Sequence, residues 1–356
     1  MAMAYDILFF EALGEEKHHL ADAIQTSKDS GLIPQDLRCY IGTETLQEFL
    51  AANPQETLPN IVSTKTHSIL PESWLHTGCK KNVISRSAGY DHYEHLAQVA
   101  NITSLREYCV NAVAETAIKM MFCVCGNLNQ YTANTALFER DKCISFKELT
   151  GLKITVFGCG KIGKRIYDMV AGLGMDARAV DIRAEELSQL YGNSVRFISP
   201  EKATDSDVII CAMNYTKDET SRLYNKGYFT EEYLSRFPDG LVFVNVTRGE
   251  IAPEAPLLKL YENGKIFGIG LDAFCGEAGL AKILRGQKEA ENSNEAAAYK
   301  IIQYALDRTG NCYVQAHQGF NSDKAALCKA VETIHHLENY FARGCDGFDA
   351  QLPYYT

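Results

Sequence analysis

Ile154-Thr155-Val156-Phe157-Gly158-Cys159-Gly160-Lys161-Ile162-Gly163-Lys164-Arg165-Ile166 is the stretch on which the reading of the whole chain turns. Four apolar or β-branched residues run straight into a G-x-G-x-x-G, and a helical pattern over Lys161–Gly172 follows. The glycine pattern alone is weak. Between a strand and a helix it has the context that a dinucleotide-binding turn requires. Gly158 permits the tight turn, Gly160 lets the backbone approach a pyrophosphate, and Gly163 lets the helix close on the strand. Free N–H groups at the helix start, those of Lys161 and Ile162 among them, attract the anion. The second test is an acid at the end of the next strand. Ala177–Asp181 reads as that strand, and Asp181 lies 23 residues beyond Gly158. A carboxylate there accepts from both ribose hydroxyls and repels a 2′-phosphate, so NAD is expected over NADP. Arg183, two residues on, is the residue that can rescue NADP binding.

Outward from this stretch, short apolar runs alternate with longer amphipathic ones. Upstream, Tyr5–Phe10, Leu37–Ile41, Ile61–Ser63 and Val83–Ser85 read as strands. Downstream, Lys153–Phe157, Val208–Ala212, Leu241–Asn245 and Ile266–Leu271 continue the series. Helices are expected at Lys161–Gly172, Thr230–Phe237, Pro253–Asn263 and Glu295–Asp307. Such alternation predicts an α/β fold with parallel sheets. Between the two series, Cys109 to about Gln130 reads as one long helix, with Val110, Val113, Ala117, Met120, Met121 and Val124 at near-helical spacing. Glu289–Ala298, rich in Glu, Asn and Ala, reads as a solvated loop leading into a helix.

Composition narrows the function classes. The 356 residues are 46% hydrophobic and 22% charged, as in soluble globular proteins. A formal net charge of −10 lacks the basic footprint of a nucleic-acid binder, so no nucleic-acid partner is expected. The longest apolar runs, such as Val208–Met213 and Met120–Cys125, are too short to span a bilayer. Met1–Asp6 lacks the basic region and apolar core of a signal peptide, so a soluble, cytoplasmic protein is expected. Of the twelve cysteines only Cys123 and Cys125 lie close, and Cys143 is among those standing alone. No second pair completes a zinc set, so reduced, buried thiols and no metal are expected. His92 and His95 read as solvated beside Asp91 and Glu94, His18-His19 and His335-His336 as surface pairs, and Trp74 as packing.

Three strings downstream of the glycine turn carry chemistry. They are Val244-Asn245-Val246-Thr247-Arg248-Gly249, Gly268-Ile269-Gly270-Leu271-Asp272-Ala273-Phe274-Cys275-Gly276-Glu277, and Gln315-Ala316-His317-Gln318-Gly319-Phe320. Arg248 and Glu277 follow the carboxyl ends of expected strands, where open α/β sheets bind ligands. An arginine, a glutamate and a histidine suit hydride transfer to a 2-keto acid. A guanidinium holds the substrate carboxylate and polarises the ketone. A histidine gives the proton that the developing alkoxide needs, and a carboxylate beside it favours the imidazolium.

With these strings in view, the chain resembles the D-isomer-specific 2-hydroxyacid dehydrogenases, most of all their D-lactate dehydrogenase branch. Carrying the likeness are Asn-x-x-Arg-Gly at 245–249, Glu262–Gly268, Leu-Asp-x-Phe-x-x-Glu at 271–277, and the 29-residue interval from Arg248 to Glu277. The resemblance implies Arg248 as substrate-binding arginine, His317 as acid/base, Glu277 as its partner, and Asp272 near the nicotinamide. Ser85-Arg86-Ser87-Ala88-Gly89-Tyr90-Asp91 is similar to the family loop whose backbone holds the substrate carboxylate, which implies Ala88 and Gly89 as donors. Asn111–Glu115 resembles the start of the family's interdomain helix. Two Rossmann-like domains with a cleft between them follow: a substrate-binding domain of residues 1–107 plus 318–356, and an NAD-binding domain of 108–317. A homodimer formed through the cofactor domain is implied too.

The chain departs from the family at Ala316 and Ala278, where proline is usual, and at Cys211–Thr216, which lacks the usual histidine and proline. The 40 residues from Glu277 to His317 exceed the family interval and imply an insertion. The expected reaction interconverts a 2-keto acid and a D-2-hydroxy acid, with pyruvate, 2-ketoisocaproate and 2-ketoglutarate all open. An NAD(H)-sensing, corepressor-like binding protein is the alternative on the same scaffold, and formate or phosphite oxidation is a lesser one.

Overall fold

Runs rich in Val, Ile and Phe pair side by side, because a parallel strand buries both faces and satisfies its backbone along both edges. A computed structural model of the chain describes residues 5–138, 140, 141 and 144–354. Cys143 and Met1–Ala4 lie outside the described residues. The chain divides into two units, Met1–Cys109 with Asn321–Thr356, and Val110–Phe320.

The first unit begins with β1 (Ile7–Phe9), α1 (Glu16–Asp29), β2 (Cys39–Ile41), α2 (Leu46–Ala52), β3 (Ile61–Thr64), α3 (Glu72–Leu75), β4 (Lys81–Ser85) and β5 (Ala100–Ser104). Its strands are parallel in the order β2-β1-β3-β4-β5. Alternation along β1 sends Ile7 and Phe9 into one core and Leu8 and Phe10 into another. The apolar pattern does not announce β5, whose Asn101, Thr103 and Ser104 are polar. All three are buried: the Asn101 amide donates to Asn82 (3.1 Å), and Ser104 N–H donates to the Tyr354 hydroxyl (2.6 Å).

The second unit carries α4 (Val110–Cys125), α5 (Leu128–Asn134), β6 (Lys153–Phe157), α6 (Lys161–Gly172), β7 (Asp176–Val180), α7 (Ala184–Leu190), β8 (Val208–Cys211), α8 (Glu231–Ser235) and β9 (Leu241–Asn245). After them come α9 (Glu254–Glu262), β10 (Ile266–Leu271), α10 (Glu277–Leu284), α11 (Ser293–Leu306) and β11 (Cys312–Val314). The chain then returns to the first unit for α12 (Ala325–Ala342), which packs with α1.

The second sheet runs β11-β10-β9-β8-β6-β7, all parallel. A single parallel bridge from Ala179 to Phe197 stands outside β7, where a further strand of the dinucleotide-binding order would lie. The order reverses at β6, so the glycine turn that follows β6 sits where such sheets bind ligands. Phe157, Phe229 and Phe243 pack edge to face at 5.1 Å and anchor the core under that end.

The single helix expected from Cys109 to Gln130 is two helices. A Cβ at Gly126 would meet the Phe122 carbonyl oxygen at 2.8 Å, and Asn127 turns left-handed at φ 48°, so the rod stops after Cys125. The segment between Glu277 and His317 holds α10 as well as the expected helix, which begins at Ser293 because Asn292 caps it, accepting from the N–H groups of Asn294 (3.1 Å) and Glu295 (2.9 Å).

Not every side chain sits where its neighbours in sequence suggest. Cys79, Cys328 and Cys345 are exposed rather than buried. Elsewhere burial pushes the thiols of Cys125, Cys159 and Cys312 up to about 12, which leaves them protonated and unreactive. Adjacent helical residues point in different directions, so His335 is exposed while His336 turns inward against Phe348. Trp74 is buried and donates to the Pro59 carbonyl at 2.9 Å.

Candidate active site

The glycine turn opens where β6 ends. Gly158 has φ +84°, and a Cβ there would lie 2.6 Å from Met213 Cα, so the turn and the end of β8 touch through a hydrogen. A Cβ at Gly163 would meet the Gly158 carbonyl oxygen at 1.8 Å, which closes α6 onto the turn. At Gly160 nothing stands within 4 Å of the Cβ position, leaving the face that a pyrophosphate would approach open. Asp181, just past β7, accepts the Cys159 N–H at 2.7 Å and the Arg183 N–H at 2.9 Å, so its carboxylate is fixed beside the turn. Gly158 N–H donates to the Val180 carbonyl at 2.8 Å and Cys159 N–H to Asp181, so Gly158 shapes the turn. Two closed glycines, one open one and a neighbouring carboxylate fit a dinucleotide, which the helix-start amides of Gly160, Lys161, Ile162 and Gly163, with Asp181, would hold.

Beyond β9 the chain makes a tight turn that delivers Arg248. Asn245 shapes it: its amide donates to the Arg248 carbonyl at 2.9 Å, and its oxygen accepts from Thr247 N–H (3.1 Å) and the Thr247 hydroxyl (2.9 Å). The next residue must be glycine, since a Cβ at Gly249 would lie 2.0 Å from the nitrogen of Cys275. The backbone that carries Arg248 is thereby pressed against the turn that carries Glu277. That turn runs from Phe274 to Gly276, which is left-handed at φ 64°, and Glu277 begins α10.

His317 stands in the left-handed region, at φ 52°, a conformation that costs a non-glycine residue of order 1 kcal/mol. Asp272, at the end of β10, holds it there. The Asp272 carbonyl accepts the His317 N–H at 2.6 Å. The carboxylate accepts from Gln315 Nε2 (2.7 Å), Gln318 N–H (2.8 Å) and Gly319 N–H (2.9 Å). Asp272 is buried, and both its oxygens are engaged by the loop that presents the histidine.

The three reacting candidates meet. His317 Nδ1 lies 2.9 Å from Glu277 Oε1 and 3.2 Å from Oε2, and His317 Nε2 lies 3.4 Å from Arg248 Nη1. Burial would raise the Glu277 carboxyl, but the hydrogen bond and charge of His317, the Phe274 N–H and Arg248 outweigh it and hold the group below the usual carboxylate range. An ionised Glu277 only accepts, so Nδ1 carries a proton and Nε2 is the atom free to exchange one.

A family model described as "D-isomer specific 2-hydroxyacid dehydrogenase, NAD binding domain" matches residues 118–319, more than half of the chain. The chain belongs to the D-isomer-specific 2-hydroxyacid dehydrogenases. Residues 118–319 are the NAD-binding domain of this dehydrogenase. A D-lactate dehydrogenase of Treponema pallidum is 27% identical over 248 residues, which is 65% of this chain and 70% of that one. An aromatic 2-oxoacid reductase of Clostridium sporogenes is 22% identical over 271 residues, 74% and 76% of the two chains. Among solved structures, D-lactate dehydrogenase from Aquifex aeolicus, complexed with NAD and lactic acid, matches with a TM-score of 0.75 at 24% identity, over 95% of this chain and 96% of that one. The two share a fold.

Ala88 and Gly89 belong to the first unit of the dehydrogenase, in the loop after β4. The Ser87 hydroxyl donates to the Gly89 carbonyl at 2.7 Å. Arg86, fully buried, fixes the start of this loop through Glu16 Oε1 (2.8 Å), Ser63 Oγ (2.9 Å) and the Phe10 carbonyl. His92 lies at 3.2 Å from Ser85 Oγ, and among the described residues no cluster of His, Cys, Asp or Glu is arranged to hold a metal. No helix of the described residues is long and apolar enough to cross a membrane. Spacing reasoning missed the wrapping role of Asn245 and the loop-holding role of Asp272. Both stand inside the motifs, but their partners are set by folding.

Proposed function

We propose that this dehydrogenase reduces 2-oxo acids to D-2-hydroxy acids, with Arg248, Glu277 and His317 acting on the substrate and proton. One observation carries the reading: a histidine clamped between a carboxylate on Nδ1 and a guanidinium 3.4 Å from Nε2. With His317 protonated, Nε2 and Arg248 Nη1 are both donors and cannot bond each other. A ketone oxygen set against both accepts from each, which polarises the carbonyl. Bound NADH supplies the hydride that C2 receives. The negative charge that develops on the oxygen is met by Arg248, and the proton comes from His317 Nε2. Glu277 keeps the imidazole oriented and balances its charge while protonated. In the reverse direction neutral Nε2 takes the hydroxyl proton.

The first unit serves in this reading as the substrate-binding domain, with the N–H groups of Ala88 and Gly89 donating to the substrate carboxylate. The exposed apolar side chains of Phe122, Leu128, Tyr131, Phe138, Ile144 and Phe146 on the second unit support a homodimer formed through the cofactor domain. The reading is tested by following NADH oxidation with a panel of 2-oxo acids. Turnover by the wild-type protein, lost in His317→Gln with NADH binding retained, is the expected result. NADH binding with no turnover on any 2-oxo acid would instead identify a sensor.

A further inference from the structure

Three backbone N–H groups in the turn that presents Glu277 are held by carboxylates. Phe274 N–H donates to Glu277 itself at 3.3 Å, Cys275 N–H to Glu254 Oε1 at 2.8 Å, and Gly276 N–H to Glu250 Oε1 at 3.4 Å. Glu254, the first residue of α9, is fully buried, so its carboxylate depends on the donors it finds. Its second oxygen accepts from the side-chain amide of Asn294. The Asn294 oxygen accepts the Ala255 N–H at 3.0 Å, which fixes which way that amide points. Asn294 stands in the first turn of α11, the helix of the segment that lengthens the interval from Glu277 to His317. Gly249, the residue after Arg248, packs directly against the same turn. A continuous chain of bonds therefore runs from the inserted helix through Asn294, Glu254 and Cys275 to Glu277 and His317.

We propose that Glu254, oriented by Asn294 of the inserted helix, is a positioning residue that sets where Glu277 meets His317. The bond polarity makes this testable. In Glu254→Gln the new amide can accept from Cys275 N–H but then confronts the Asn294 amide, donor against donor. Adding Asn294→Asp restores a donor–acceptor pair, while the new carboxylate still accepts from Ala255 N–H.

The kinetic part of the test rests on the proposed oxo-acid reduction; the spectroscopic part does not. The proton NMR signal of His317 Nδ1–H, bonded to Glu277 and assigned by its loss in Glu277→Gln, is recorded without substrate. All measurements are made at pH 8, above the value of about 7 to which burial pushes the Glu254 carboxyl. In Glu254→Gln and in Asn294→Ala the signal is expected to move upfield or broaden, and kcat to fall roughly 10- to 100-fold, the scale of a misplaced catalytic group. The dissociation constant for NADH should stay within about twofold, since the glycine turn is untouched. The Glu254→Gln/Asn294→Asp protein should recover both signal and kcat. An unmoved signal in Asn294→Ala, which tolerates replacement at a partly exposed site, would overturn the proposal, as would failure of the double variant to recover. Absence of turnover in the wild type would sink the oxo-acid reading alone and leave the signal to decide this one.

Discussion

His317 occupies a backbone conformation that few residues adopt, and Asp272 is the reason it stays there. A carboxylate that accepts from Gln315, Gln318 and Gly319 ties three points of one short loop to the end of β10. Charge-assisted bonds of this kind are about twice as strong as neutral ones. Asp272→Asn replaces one acceptor with a donor facing backbone N–H groups. The expected cost is about 1–3 kcal/mol in urea unfolding, together with a fall in kcat as the loop loosens. Unchanged unfolding and unchanged kcat would show that the loop is held by other contacts. The same residue marks a limit of sequence reading. Its position within Leu271–Glu277 was legible, yet which loop its oxygens would serve depends on β10 and β11 lying side by side.

At the scale of elements, β6, α6, β9 and β10 were legible residue for residue, because each is a clean apolar run or stripe bounded by Gly, Asn or a charge. Elements with mixed composition were not. β5 alternates Ala100 and Ile102 with the buried polar Asn101 and Thr103 over too few residues to stand out, and β11 is three residues long. The expected long helix failed at Gly126-Asn127, where a left-handed residue outweighs a continuing apolar stripe. The stripe has a second face. Phe122 on α4 and Leu128 and Tyr131 on α5 are exposed, as are Phe138, Ile144 and Phe146 beyond them. These are the side chains on which the proposed dimer would be built, since grouped exposed apolar residues suit association. Sedimentation of the wild-type protein is expected to give about twice the monomer mass of 39.6 kDa, and Leu128→Glu combined with Tyr131→Glu a monomer. A monomeric wild type at micromolar concentration would contradict the dimer.

For the whole molecule, a net charge of −10 means that anionic ligands are captured by local donors and not by bulk attraction. Glu277 stays charged across neutral pH because its carboxyl is held low, so its pairing with His317 weakens only as acid reaches that lowered range. Acid acts sooner elsewhere. Burial, with the neighbouring His335, pushes His336 down from 6.5 to about 4, and its Nε2 is buried with Glu332 no nearer than 3.9 Å. Below 6.5 the unfolded chain takes up a proton that the folded chain refuses until about 4. Stability is therefore lost as pH falls through that window, by at most about 3 kcal/mol from this group. Urea unfolding at pH 7 and pH 4.5 should show a smaller loss in His336→Gln than in wild type; equal losses would show that His336 does not drive the acid sensitivity.

In the proposed reaction His317 delivers the proton when a 2-oxo acid is reduced. The most direct test is steady-state NADH oxidation by wild type and His317→Gln across about ten 2-oxo acids, with NADH affinity measured in parallel and the chirality of the product determined. The expected result is turnover of at least one acid to its D-2-hydroxy product, a loss of roughly 10²-fold or more in the variant, and unchanged NADH affinity. A variant as active as wild type, or an L-product, would contradict it.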